Sequence, residues 1–324
     1  MSNYALKIVD LSKDFWKKKS WFGKKELTQA VKGLNLEIMP GESVAFLGPN
    51  GAGKSTSIKL ICGILKPTSG KSWIKHYPSG TLEANKCLGL VFGTRSNLWM
   101  YITVKQSLQM LGAIYNISAK DTLSRIHLLA ELFEIVHFLD APPNTLSLGE
   151  RMRCEIVAGL IHRPSILLAD EPTIGLDVLG KIKFRLLLRQ WQEEENTTVL
   201  LTSHDISDVE ALSDRAILIN KGQVGYDGPL QGLKGGLASK RNIKLQLSKP
   251  AFNDLRDFKK GIKVIDDNHL TKKFQIDMQT ISPISAIDYF MKAYKNNIID
   301  ISVEEISLES IITQWYTGDQ GARL

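Results

Sequence analysis

The run Gly48-Pro49-Asn50-Gly51-Ala52-Gly53-Lys54-Ser55-Thr56 constrains this chain more than any other feature. It follows a short apolar segment, Ser43-Val44-Ala45-Phe46-Leu47, and precedes apolar residues at helical spacing, Ile58, Leu60, Ile61 and Ile64. A buried strand, a glycine turn and a helix are expected in that order. The glycines let backbone N–H groups converge on an oxyanion, and the helix presents its positive end to the same point. The pattern G-x-x-x-x-G-K-[ST] is a phosphate cradle, in which Lys54 reaches the terminal phosphates and the Ser55 hydroxyl ligates Mg²⁺. By average composition the bare pattern arises by chance in about one chain per hundred of this length.

The segments around it ask for a layered α/β fold. Leu88–Phe92, Ile166–Ala169, Thr198–Leu201 and Ala216–Ile219 are further apolar runs, with helices expected at about 150–162, 178–192 and 205–213. Apolar strands alternating with helices mean a parallel sheet covered on both faces. Before them, 4–9 and 31–38 alternate apolar and polar residues and read as antiparallel strands. Residues 103–139 form a mostly helical block bounded by Pro142-Pro143. Gly228, Gly232, Gly235 and Gly236 mark a domain boundary. Beyond it the pattern is strand 243–247, helix 251–259, strands near 263–266 and 272–277, helix 282–295, strand 298–303 and a closing helix at 307–315. That βαββαβ order is the ferredoxin-like unit.

A second half-site stands at Ile166-Leu167-Leu168-Ala169-Asp170-Glu171. Four apolar residues bury the strand, so Asp170 emerges at its carboxyl end, where it can hold Mg²⁺ through water. Glu171, one residue on, can polarise an attacking water as general base. A strand ending in Asp-Glu is weak by itself; paired with the phosphate cradle it is specific.

With these residues in place the chain resembles the ABC ATPase family. Leu146-Ser147-Leu148-Gly149-Glu150 stands where the family carries its LSGGQ signature, Ile174-Gly175-Leu176-Asp177 matches the D-loop, and His204 in Thr202-Ser203-His204-Asp205 matches the switch histidine. The match covers residues 4 to about 236. The wording LSLGE-R-M-R, ADEPTIGLD and the C-terminal Asp300-Ile301-Ser302-Val303-Glu304-Glu305 resembles ATP-binding subunits of bacterial exporters with a separate six-helix permease, of the drug, lipid or polysaccharide type.

The resemblance implies an α/β P-loop NTPase cassette over 1–236, made of a parallel core sheet, an antiparallel β subdomain and a helical subdomain at about 95–145. A small α+β ferredoxin-like accessory domain would occupy 240–324. It implies ATP and Mg²⁺ as cofactors, with Gly48, Asn50, Gly51, Gly53, Lys54, Ser55 and Thr56 on the phosphates, and Ser55 and Asp170 on the metal. Glu171, His204 and Lys54 would be catalytic, and Phe15 stands where the family stacks an aromatic on adenine, with Trp16, Trp21 and Phe22 as competitors. Ser147, Leu148, Gly149 and Glu150 would act in trans, on ATP held by a second cassette, identical or not. The remaining implied partner is an integral membrane permease, which would hold the subunit on the inner, cytoplasmic face of the membrane, with Trp99 and Tyr101 as candidates for the docking groove.

The sequence also departs from the family. Thr94 stands at the Q-loop glutamine's place; its hydroxyl is shorter by about two bonds, and Asn97 is the substitute if the loop is shifted. Leu148 and Glu150 replace Gly and Gln, and Glu150 brings a negative charge near a phosphate. Hydrolysis is still expected, because Lys54, Asp170 and Glu171 are intact.

Composition narrows the alternatives. At 324 residues, 43% hydrophobic and 23% charged, the chain is an ordinary globular protein of about two domains, not a disordered tail or a disulfide scaffold. Cys62, Cys87 and Cys154 form no CxxC pair, so no structural zinc and a cytosolic compartment are expected. There is no secretory h-region at the start and no stretch of 18 apolar residues. Of the net charge of +7, residues 1–30 supply +4 through seven lysines against Asp10, Asp14 and Glu26. The lysine–aromatic stretch Trp16–Lys25 reads as a solvated loop between strands, or as a contact for anionic lipid or nucleic acid; on a membrane-docked ATPase, nucleotide phosphates or anionic lipid are favoured. Two other functions compete: a soluble ATPase on ribosomes or nucleic acid, disfavoured by the single cassette, and an ATP-binding regulatory module with little hydrolysis, suggested by Thr94.

Overall fold

A computed structural model describes residues 4–18, 25–93, 96–237, 239–250 and 261–317. Its contacts divide the chain after Leu230 into two compact units.

In the first unit, β1 (Leu6–Lys18) and β2 (Lys25–Ile38) pair antiparallel, and β4 (Ser69–Ile74) and β5 (Tyr77–Pro78) extend the sheet in the order β2-β1-β4-β5. The β1–β2 ribbon is longer than the alternation predicts. Trp16 faces Leu27 and Lys18 faces Lys25, so part of the expected basic loop is ladder; the loop residues 19–24, with Trp21 and Phe22, lie outside the described residues.

The second sheet holds β3 (Ser43–Leu47), β6 (Leu88–Phe92), β7 (Ile166–Asp170), β8 (Thr198–Thr202), β9 (Arg215–Asn220) and β10 (Gln223–Pro229), in the order β10-β9-β3-β8-β7-β6. All neighbours are parallel except β10, which turns back on β9. Successive side chains of β7 face opposite ways. Ile166 and Leu168 join a core with the antiparallel sheet and α1 (Lys54–Ile61), whereas Leu167 and Ala169 join a core with the helices. Both faces are therefore buried, which is why these strands are apolar throughout. Gly228 pairs with Ala216 inside β10, so the first of the boundary glycines belongs to the sheet.

The expected helical block is α3 (Val104–Ile114) and α4 (Ala119–Leu132), preceded by the short α2 (Leu82–Lys86). Asn116, at φ 58°, breaks α3 from α4. Thr103 caps α3 in a capping box with Gln106, and Ser118 caps α4. Next come α5 (Leu148–Leu160), α6 (Val178–Glu195) and α7 (Ile206–Leu212), each opened by a side-chain cap, from Ser147, Asp177 and Asp205.

The second unit is an antiparallel sheet of β11 (Lys240–Leu247), β12 (Ile262–Asn268), β13 (Thr271–Asp277) and β14 (Ile298–Glu305), in the order β12-β13-β11-β14. Helix α8 (Pro283–Tyr294) packs Ala286 and Phe290 into a core with Ile243, Leu245, Phe274 and Ile276, and α9 (Leu308–Thr317) follows. This strand order is that of the ferredoxin-like unit. The helix expected at 251–259 lies outside the described residues.

Candidate functional site

The site collects at the carboxyl ends of β3, β7 and β8, where the apolar strands run out and polar residues begin. Between β3 and α1 the chain turns through Gly51 (φ 80°) and Gly53 (φ 109°). A Cβ on Gly53 would lie 2.4 Å from the Ala30 carbonyl oxygen of β2, so only glycine fits. The loop is tied down behind: Gly222 N donates to Ala52 O at 2.8 Å, and Lys32 N donates to Gly222 O at 2.8 Å. Gly53 opens α1 with no side-chain cap and no acid in the first turn, so the helix keeps its N-terminal donors for a ligand.

Lys54 is 8% exposed and its ammonium donates to the carbonyls of Gly48 and Pro49. Burial lowers its pKa, opposed by the charges of Glu171 and Asp170. Ser55 is exposed at the start of α1, and Thr56 follows half-buried.

Asp170 and Glu171 end β7. Thr202, the last residue of β8, donates its hydroxyl to Asp170 Oδ1 and accepts the Glu171 N–H at 3.2 Å. Thr202 thus orients both acids, a part that sequence reading missed although the residue stands two before His204. Glu171 takes φ 55°, which turns its side chain off the strand toward His204. His204 Nε2 lies 3.4 Å from Glu171 Oε1, and His204 N donates to Glu171 Oε2 at 3.3 Å.

The donor set fits a hard divalent cation: one exposed serine hydroxyl and the carboxylate oxygen of Asp170 that Thr202 leaves over. Among the described residues no group of three or more His, Cys, Asp or Glu forms a closed metal cage.

The signature residues form a second cluster that touches the D-loop. Ser147 caps α5, accepting from Glu150 N at 3.4 Å, while the Glu150 carboxylate accepts from Ser147 N at 2.8 Å. These bonds from Ser147 hold the Glu150 carboxyl below its ordinary pKa. The expected free charge at this position is therefore engaged in a capping box. Leu148 overlies Gly175, where an added Cβ would come within 2.0 Å of Leu148 Cδ2, and Gly149 faces Leu176. Asp177 caps α6, accepting from Gly180 N at 2.8 Å.

Three other expected residues fall as follows. Phe15 is half-buried on β1 opposite Thr28, with Lys13 Nζ 5.4 Å from its ring centroid. Thr28 precedes Ala30, the neighbour of Gly53, by two residues, about 7 Å along the strand. Thr94 lies outside the described residues. Asn97 is tied to β6 and α5: its amide nitrogen donates to Leu90 O at 2.7 Å and its backbone N–H to the buried Glu155 carboxylate at 2.7 Å. Trp99 and Tyr101 are 39% and 88% exposed.

Comparison with known proteins identifies the family. The profile of the ABC transporter family matches residues 31–174. The chain is similar to the ABC transporter ATP-binding protein NatA of Bacillus subtilis, 34% identical over 212 residues, which cover 65% of this chain and 86% of that protein. It is 35% identical over 212 residues to the thiamine import ATP-binding protein ThiQ of Yersinia pseudotuberculosis, covering 65% and 89%. Among solved structures it resembles the dimeric, ADP- and phosphate-bound ATP-binding cassette MJ0796, at a TM-score of 0.61 and 30% identity over 69% of this chain and 98% of that one. The chain belongs to the ATP-binding subunits of the ABC transporter family, and membership implies that it binds and hydrolyses ATP.

Proposed function

We propose that this chain is the ATP-hydrolysing subunit of an exporter, working as one of two cassettes on a separate membrane permease. The observation that carries the reading is the convergence of Lys54, Asp170, Glu171 and His204 at the ends of three neighbouring strands. In this reading the backbone N–H groups of the Gly48–Thr56 turn, Pro49 excepted, cradle the ATP phosphates, and Lys54 exchanges its carbonyl contacts for phosphate oxygens. Ser55 and Asp170 would hold Mg²⁺, which would supply positive charge to the phosphates when bound. Glu171 takes the proton of the attacking water, and His204 contacts the γ-phosphate from the other side. Phe15 stacks on adenine.

One chain carries one phosphate cradle and one signature, so a second cassette completes each site. Ser147, Leu148, Gly149 and Glu150 would meet the partner's γ-phosphate, and Asp177 the dimer seam. Closure and release of the pair would rock the permease. Exposed Trp99 and Tyr101 supply an aromatic surface for the permease, and no helix among the described residues is long and apolar enough to cross a membrane itself. Export is supported by the signature wording LSLGE-R-M-R and the acidic β14 end.

Turnover by the purified chain with its permease, compared with Glu171→Gln, tests the hydrolysis. The variant is expected to lose at least about 100-fold in kcat while still binding ATP. Activity equal to wild type would refute the role of Glu171. Direction is read by substrate movement in inverted against right-side-out vesicles; uptake into right-side-out vesicles would overturn export.

A further inference from the structure

Asp208, on the first turn of α7, is the most deeply buried acid of the cassette, at 0% exposure. Its Oδ2 accepts the hydroxyl of Thr173 and, at 2.8 Å, the hydroxyl of Ser203. Its Oδ1 accepts Nε of Arg185 at 2.7 Å and lies 2.6 Å from Nη2. Thr173 and Ser203 are themselves 3% and 5% exposed. Thr173 comes two residues after Glu171, within a turn closed by Ile174 N donating to Glu171 O at 3.2 Å. Ser203 comes immediately before His204 and accepts Asp205 N at 3.0 Å.

We infer that Asp208 is a positioning residue for hydrolysis, whose single oxygen Oδ2 staples the chain leaving Glu171 to the chain entering His204. The inference rests on the reading that Glu171 and His204 act on the γ-phosphate. Both residues stand at strand ends, where backbone freedom is large. Alongside the backbone ladder, the Thr202 hydroxyl and the direct Glu171–His204 contacts, the paired hydroxyls on Oδ2 tie the two chain segments together in a dry, low-dielectric setting. The staple also reaches the D-loop helix. Arg185, which pairs with Asp208, and Lys181, 2.6 Å from Asp205 Oδ2, both lie on α6, the helix that Asp177 caps. A cassette pressing on Asp177 therefore has a direct mechanical route to the Glu171–His204 pair.

The test compares Thr173→Val with Thr173→Ser, and adds Asp208→Asn. Valine keeps threonine's shape without the hydroxyl, whereas serine keeps the hydroxyl. Asparagine places an amide where two or more donors converge. Steady-state ATPase, ATP affinity and ATP stoichiometry are measured on the full-length chain, with Glu171→Gln and His204→Ala alongside. T173V and D208N are expected to lose about 10- to 100-fold in kcat with KM and ATP affinity within about twofold and one ATP still bound per chain. T173S is expected to keep kcat within about threefold of wild type. If T173V retains wild-type kcat, or if activity falls only in step with ATP stoichiometry, the staple is structural and the proposal fails. If E171Q or H204A turn over like wild type, the underlying reading fails and takes the proposal with it.

Discussion

Two helices of the cassette open with residues that suit an anion, and the structure treats them differently. Helix α1 begins at Gly53 with no side-chain cap and no acid in its first turn. Helix α5 begins at Ser147 with a full capping box, and the box is closed by a carboxylate. The first N-terminus keeps its donors open and has Lys54 buried beside it. The second has two of its donors satisfied, Ser147 N by the Glu150 carboxylate and Glu150 N by the Ser147 hydroxyl. A phosphate can enter the first by displacing nothing but carbonyl contacts of Lys54. To reach the second it must approach a fixed negative charge. One chain thus holds a ready half-site and a self-occupied half-site, which suits a cycle in which the pair of cassettes has to come apart again.

The largest effect should follow from spoiling the open N-terminus. Gly53→Ala puts a methyl group 2.4 Å from the Ala30 carbonyl at a φ of 109° that alanine avoids. The loop must then distort at its tie to β2. ATP affinity, measured by titration calorimetry, should fall at least about 100-fold, while Ser147→Ala should leave monomer affinity nearly unchanged. Equal losses in both variants would erase the distinction between the two helices.

A smaller effect is expected at the capped end. Ser147→Ala removes the cap of α5 and should lower stability by about 1 kcal/mol, read as a shift of the denaturation midpoint. If the serine hydroxyl donates to the partner's phosphate, as proposed, ATP-driven dimerisation of the Glu171→Gln chain should weaken in the same variant. Dimerisation at wild-type strength would mean that Ser147 is a cap only.

This contrast was only partly legible in the sequence. The cradle, the order of strands and helices, and the pairing of Asp170 with Glu171 follow from local pattern: apolar runs, glycine spacing and a strand end. So does the start of α5, since Ser147 with Glu150 three residues later spells a capping box as well as a signature. Nothing local said which of the two uses Glu150 would serve, because that depends on the rotamer it adopts. Strands β4 and β10 were not legible: each carries residues that disfavour strand, Gly70 in β4 and the boundary glycine Gly228 with Pro229 in β10, and the ladders on β1 and β9 outweigh that preference. Thr202 and Asp208 were hidden for a different reason. Each acts on residues from a neighbouring strand or turn, and those contacts exist only after the sheet has formed.

The smallest expected effect tests the comparison most directly. Glu150→Gln keeps the side chain's length and its oxygen acceptor for Ser147 N–H, but removes the charge. The capping box should survive while the repulsion toward a phosphate disappears. Dimerisation of the Glu171→Gln chain with ATP should therefore tighten, by about threefold to tenfold, while the monomer gives up at neutral pH only the increment that the ionised carboxylate supplies to the cap. The pH dependence has a fixed sign. The Glu150 carboxyl titrates below its ordinary value in the fold because Ser147 bonds to its ionised form. Its stabilising contribution is then complete above the unfolded pKa of about 4.3 and fades as pH falls through the lower, folded value. The wild-type chain should lose this increment in acid, and the Gln variant, which has no proton to take up at this position, should not. Denaturation midpoints of the two proteins followed from pH 6 to pH 3 give the comparison. Curves that run parallel throughout would show that the carboxylate does not hold the cap, and that the two helix N-termini differ less than their hydrogen bonds imply.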